Sequence, residues 1–129
     1  MRLFEVYLYA AGTTFDVEQF QSLLPATHRG EVRPVYRMDG SEKKVMGRYW
    51  RSKSGSVCES GVDEAAMSQL RDHAAALDRA RALGAENIYL SLAMLPTGEV
   101  SHEDVVLSDA VMRRLDAIGA EVDMNIPQL

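Results

Sequence analysis

The residues that could do covalent or metal chemistry are few and scattered. His28, His73 and His102 lie far apart, and Cys58 is the sole cysteine, so no zinc-ligand spacing exists. Cys58 sits in SGSVCES with no feature that places a histidine beside its thiol, and no serine elbow occurs. The carboxylates are numerous, but their spacing pairs no two of them for acid–base work. The glycines form neither GxGxxG nor GxxxxGK[ST], so no phosphate-cradling loop is encoded. HEDVV, residues 102–106, reads as a polar surface loop, and His73 as a structural histidine beside an apolar helical stripe. These residues assign no catalytic group, no metal and no cofactor. The chain leans away from an enzyme and toward a binding protein.

Binding chemistry is better represented. In RLFEVYLYA, residues 2–10, Phe4, Val6 and Leu8 alternate with Glu5, Tyr7 and Tyr9, the pattern of a half-buried strand. ENIYLSLAML, residues 86–95, sets Ile88, Leu90, Leu92 and Met94 against Tyr89, Ser91 and Ala93. The final EVDMNI sets Val122, Met124 and Ile126 against Glu121, Asp123 and Asn125. If helices cover the apolar face, the opposite face carries Tyr7, Tyr9, Tyr89, Asp123 and Asn125. Tyrosine offers contact area at low entropic cost and keeps a polar tip, which suits recognition.

A second candidate surface is electrostatic. The net charge is −5, yet residues 28–53 hold eight Lys and Arg against three acids, a local balance of +5. Such separation can mark a face for an anionic partner, with Arg29, Arg33 and Arg37 as its leading cations. Exposed hairpin strands are also often basic for solubility and edge protection. No aromatic–basic nucleic-acid motif accompanies the segment.

The elements that must position these residues follow from pattern. Asp16 or Thr14 caps a short helix with Val17, Phe20 and Leu24 on one face, and Pro25 stops it. Gly30 then re-aims the chain, and a positive φ there is the expected reason for a glycine. Asp39-Gly40 is a hairpin signal that pairs residues 32–38 with about 42–51, with Gly47 at a bulge. Trp50, the lone tryptophan, is expected in the core. A short strand near 56–59 precedes the longest helix, 62–83, whose stripe is Ala66, Leu70, Leu77 and Ala80; Gly84 caps it. Pro96-Thr97-Gly98 leads on to a cap at Ser108 and a helix 109–118 ended by Gly119.

The order β-α-β-β-(β)-α-β-α-β over residues 1–129 makes one α+β domain. It predicts a single mixed or antiparallel sheet with three helices on one face, partly ferredoxin-like. At 129 residues a single core is feasible without disulfides. The N-terminus lacks a signal-peptide core and no stretch is long enough to span a bilayer, so a cytoplasmic protein is expected, with no membrane partner.

The chain resembles a widespread bacterial family of small α+β proteins described as a domain of unknown function. The residues that carry the resemblance are FDVEQFQSLLP, the Gly30-Glu31 pair, Trp50-Arg51-Ser52 and LSDAVMRRLDAIGAEVDMNI, and it spans nearly the whole chain. Asp123-Met124-Asn125-Ile126 stands where an aromatic end is the family pattern. Some relatives look like immunity proteins of bacterial competition systems, which implies a protein-binding role. The leading expectation is therefore recognition of a protein partner, an acidic one if the basic segment makes the contact. A second copy of the chain is a further candidate. The alternatives are a small-ligand protein or enzyme with a pocket near Trp50 and residues 25–34, and nucleic-acid binding through residues 28–53.

Overall fold

The computed structural model describes residues 2–95 and 105–125. Thus Pro96-Thr97-Gly98, His102 and Ile126 lie outside the described residues. The elements are β1 (Leu3–Ala11), α1 (Val17–Leu23), β2 (Glu31–Asp39), β3 (Glu42–Arg51), β4 (Ser56–Cys58), α2 (Val62–Ala80), β5 (Asn87–Met94), α3 (Asp109–Ala117) and β6 (Glu121–Asn125). They form one α+β unit around a mixed sheet of order β2-β3-β1-β5-β6, with β4 also on β1. Through β5 the ladders are all antiparallel, in the order of a ferredoxin-like sheet; β6 is added parallel to β5.

The core explains why these segments take these forms. Phe4, Val6, Leu8 and Ala10 alternate inward from β1 and meet Ile88, Leu90 and Leu92 of β5. Val17, Phe20 and Leu24 from the first helical segment and Ala66, Leu70, Leu77 and Ala80 of α2 close over them. Asp16 caps α1 by accepting from the Gln19 amide, and Leu24 before Pro25 is extended at φ −85°, ψ 141°. Gly84 at φ 101° ends the long helical segment and Gly119 at φ 64° follows α3. Among the described residues no helix is long and apolar enough to cross a membrane.

Two expectations need correction here. Val122 and Met124 are 39% and 43% exposed rather than core residues. They share the helix side of the sheet through register with Leu90 and Leu92, but β6 is an edge strand. Alternation gives the face; it does not supply a cover. Gly30 does not have positive φ, a region that among the described residues is confined to Gly40, Gly47, Gly84 and Gly119. Its reason is close approach, because a Cβ there would stand 2.0 Å from the Arg51 carbonyl oxygen.

β3 and β4 share one edge of β1, leaving a gap at Leu8. Ser52 fills it: its amide donates to the Leu8 carbonyl at 2.9 Å, and its Oγ accepts from the Leu8 amide at 2.9 Å. The hydroxyl in turn donates to Gln69 Oε1 on α2. Ser52→Ala should leave a buried N–H unsatisfied and cost about 1–3 kcal/mol, read as a lower urea midpoint. A loss within the roughly 0.5 kcal/mol of an ordinary surface change would contradict this account of the gap.

Candidate functional site

The strand alternation that fills the core also loads the opposite face of the sheet. Tyr7 and Tyr9 on β1 and Tyr89 on β5 lie there, half-buried, with Tyr9 directly across from Tyr89. Their rings stack at 4.9 Å between centroids, inclined by 29°. Tyr49 on β3 joins them edge-on, 6.0 Å from Tyr9, and Tyr7 is 6.2 Å from Tyr9 on the other side. Tyr9 is therefore the centre of a ring cluster that crosses β3, β1 and β5.

Polar groups fix this cluster from both flanks. On one, the Tyr9 hydroxyl donates to Asp123 Oδ2 at 3.2 Å, and Asn125 Nδ2 donates to Ser91 Oγ at 3.2 Å. Burial, then the charge and hydrogen bond of Asp123, hold the Tyr9 hydroxyl well above its ordinary pKa, so it stays a donor. On the other flank Arg51 Nη2 donates to Glu5, and its guanidinium lies 3.6 Å over the Tyr7 ring. Burial works to raise the Glu5 carboxyl, but the hydrogen bonds from Arg51 and Ser54 and the Arg51 charge outweigh it. Glu5 is held below its ordinary value.

The result is a groove of about 340 Å³ lined by Tyr7, Tyr9, Ala11, Val35, Tyr49, Asp123 and Asn125. A smaller hollow of about 190 Å³ shares Ala11 and Val35 and runs past Met46 and Gly47 to Glu86. Val35 comes from the β2–β3 hairpin, so the hairpin walls the groove. The register shift between Val35 and Tyr36, opposite Gly47, is the expected bulge.

Past the bulge the hairpin stands clear of the core. Tyr36, Met38 and Val45 are 49%, 63% and 62% exposed. Lys43 Nζ rests 3.8 Å over the Tyr36 ring.

The structure gathers Tyr7, Tyr9, Tyr89, Asp123 and Asn125 on one face, with Arg33 at its margin, across from Tyr49 in register and bonded to its side chain. Arg29 is exposed at the end of the 3-10 turn Ala26–His28, and Arg37 is exposed on the outer hairpin. Arg33 is paired with Glu31 at 2.6 Å. Lys44, Arg48 and Arg51 are likewise paired with Asp39, Glu18 and Glu5, which neutralises much of the basic segment locally.

Sequence reasoning missed Tyr49, Arg51 and Val35. The signal lay in Trp50: once it is placed inward, Tyr49 and Arg51 must point outward. Ser91 was expected on the open face; it is on that side but fully buried, a small residue between Tyr7 and Asp123 in register.

Side chains pack closely around Trp50 itself. Trp50 is 0% exposed, edge-on to Phe20 at 5.0 Å and to His73 at 5.3 Å. Its Nε1 donates to Gln21 Oε1, which also accepts from the Gly30 amide, while Gln21 Nε2 donates to the Gly30 carbonyl. His73 is buried, and burial pushes its imidazole below the ordinary value. Among the described residues no cluster of His, Cys, Asp or Glu could hold a metal ion, and Cys58 is an exposed thiol. Comparison with protein-family models, curated proteins and solved structures finds no match for the chain.

Proposed function

We propose that the chain is a non-enzymatic binding domain that recognises a protein partner through the tyrosine-lined groove, with the exposed hairpin as an adjoining contact. The observation that carries this is the cluster around Tyr9, half-buried rings walled by Val35 on a face that no described helix covers. Aromatic side chains in such a concavity supply anchoring area, while Asp123 and Asn125 supply fixed polar direction.

Side-chain recognition fits better than strand addition. The outer strand β2 carries Pro34, which lacks an N–H for a new ladder, and edge prolines guard against pairing. The apolar ribbon surface of Tyr36, Met38 and Val45 extends the contact area beyond the groove. An immunity-like role is the specific form of this reading that the sequence resemblance implies.

The test is position-dependent cross-linking. A photo-reactive amino acid replacing Val35, in cells that express the protein, is expected to yield one discrete protein adduct that Tyr49→Ala abolishes. The same probe replacing Glu64, exposed on α2, is expected to yield none. An adduct from position 64 alone, or one from position 35 that survives Tyr49→Ala, contradicts the reading.

A further inference from the structure

We infer that the groove takes an arginine side chain presented by the protein partner. This rests on the groove being the recognition surface and names the chemistry it selects.

The fold already contains the arrangement once. The Arg51 guanidinium lies 3.6 Å over the Tyr7 ring while donating to the Glu5 carboxylate. Ring face and carboxylate together are what a guanidinium needs, one for its plane and one for its N–H groups. Across the face, Tyr9 and Tyr49 with Asp123 repeat the ring-and-carboxylate combination. No guanidinium of the described residues pairs with Asp123. The hydrogen bonds Asp123 accepts from Tyr9 and Asn125 both land on Oδ2.

The charge of the groove points the same way. Its described lining contains Asp123 and no Lys, Arg or His, and the adjoining smaller hollow adds Glu86. Hydrogen bonds from the Thr13 amide and hydroxyl hold the Glu86 carboxyl below its ordinary value, so it carries its charge at neutral pH. Among the described residues the cations against the ring cluster, Arg51 and Arg33 beside Tyr49, are neutralised by Glu5 and Glu31. An anionic side chain in the groove would meet the Asp123 carboxylate and electron-rich rings. A lysine would gain the charge but not the planar stacking or the forked donation that arginine brings. The acidic partner expected from Arg29, Arg33 and Arg37 therefore does not describe this groove.

The probes are N-acetyl-arginine amide, its neutral isostere N-acetyl-citrulline amide, and N-acetyl-lysine amide, titrated into the ¹⁵N-labelled full chain. Arginine amide should give saturable shifts at the amides of Tyr9, Tyr49 and Asp123, with citrulline and lysine amides at least several-fold weaker. Asp123→Asn should weaken arginine binding about tenfold, the scale of losing one charge-assisted contact. Asp78→Asn, a substitution on the exposed side of α2, should leave it unchanged. Absent or equal responses to the three probes, or shifts that map elsewhere, overturn the inference.

The cross-linking experiment separates this failure from failure of the broader reading. A Val35-position adduct lost in Tyr49→Ala but retained at full yield in Asp123→Asn overturns the arginine assignment and leaves the groove in place. An adduct that survives both overturns the groove itself.

Discussion

Trp50→Ala is expected to cost about 3–5 kcal/mol of folding stability, the scale for deleting a fully buried large aromatic side chain. Trp50 is 0% exposed and meets Phe20 and His73 edge-on, at 5.0 and 5.3 Å. Truncation removes both ring contacts and opens a void between β3, α1 and α2. It also removes the indole donor to Gln21 Oε1. Small domains hold roughly 5–15 kcal/mol in total, so the variant should sit near the edge of folding. Trp50→Phe should fall between, keeping an aromatic ring but no N–H. Urea denaturation reads both, and the native wild type should show blue-shifted tryptophan emission. A cost under about 1 kcal/mol for the alanine variant, the centre of ordinary point changes, would mean the core does not close on Trp50.

Gly30→Ala is the second large effect, and its origin is steric rather than torsional. A Cβ at Gly30 would lie 2.0 Å from the Arg51 carbonyl oxygen and 2.9 Å from Trp50 Cε2. The first obstacle is backbone and the second a core ring, so neither yields cheaply. Both backbone groups of Gly30 are also held by the Gln21 amide, which resists a shift of the chain. Overpacking of this kind costs about 1–3 kcal/mol, occasionally more. Two other glycines calibrate it. Gly40 has φ +66° in the hairpin turn but nothing within 4 Å of a Cβ, so alanine there meets only the left-handed penalty of roughly 1–2 kcal/mol. Gly55 has neither a positive φ nor a neighbour within 4 Å, so Gly55→Ala should be nearly neutral. The expected order of loss is Gly30, then Gly40, then Gly55. A larger loss at Gly40 than at Gly30 would contradict the close-approach account.

Much of this architecture was legible in the sequence because it rests on local rules. Strict alternation in β1 and β5, the apolar stripe of α2, the Asp39-Gly40 turn and the caps at Asp16 and Ser108 each follow from one segment alone. The same alternation placed Tyr7, Tyr9, Tyr89, Asp123 and Asn125 on a shared face. What could not be read depended on contacts between segments. The bulge opposite Val35 and Tyr36 slips the hairpin register, so counting from the turn gives the wrong parity for Tyr49 and Arg51. Val122 and Met124 have the inward pattern but lie on an edge strand, and strand order is not a local property. Gly30 is dictated by an oxygen 21 positions further along the chain. The pairing of Arg48 and Arg51 was not legible either, because charge in a segment says nothing about which acids fold back to meet it. Glu5 and Glu18 come from earlier elements.

The central claim is that the tyrosine face makes the contact and the helical face does not. The most direct measurement is the equilibrium affinity of the partner captured from position 35, for wild type, Tyr49→Ala and Glu64→Ala, beside the melting temperature of each. Central aromatic anchors cost 2 kcal/mol or more on truncation, so Tyr49→Ala should weaken binding at least about thirtyfold while the variant remains folded. Glu64→Ala should leave affinity unchanged. Unchanged affinity in Tyr49→Ala with a loss in Glu64→Ala would contradict the account and move the site to the opposite side of the molecule.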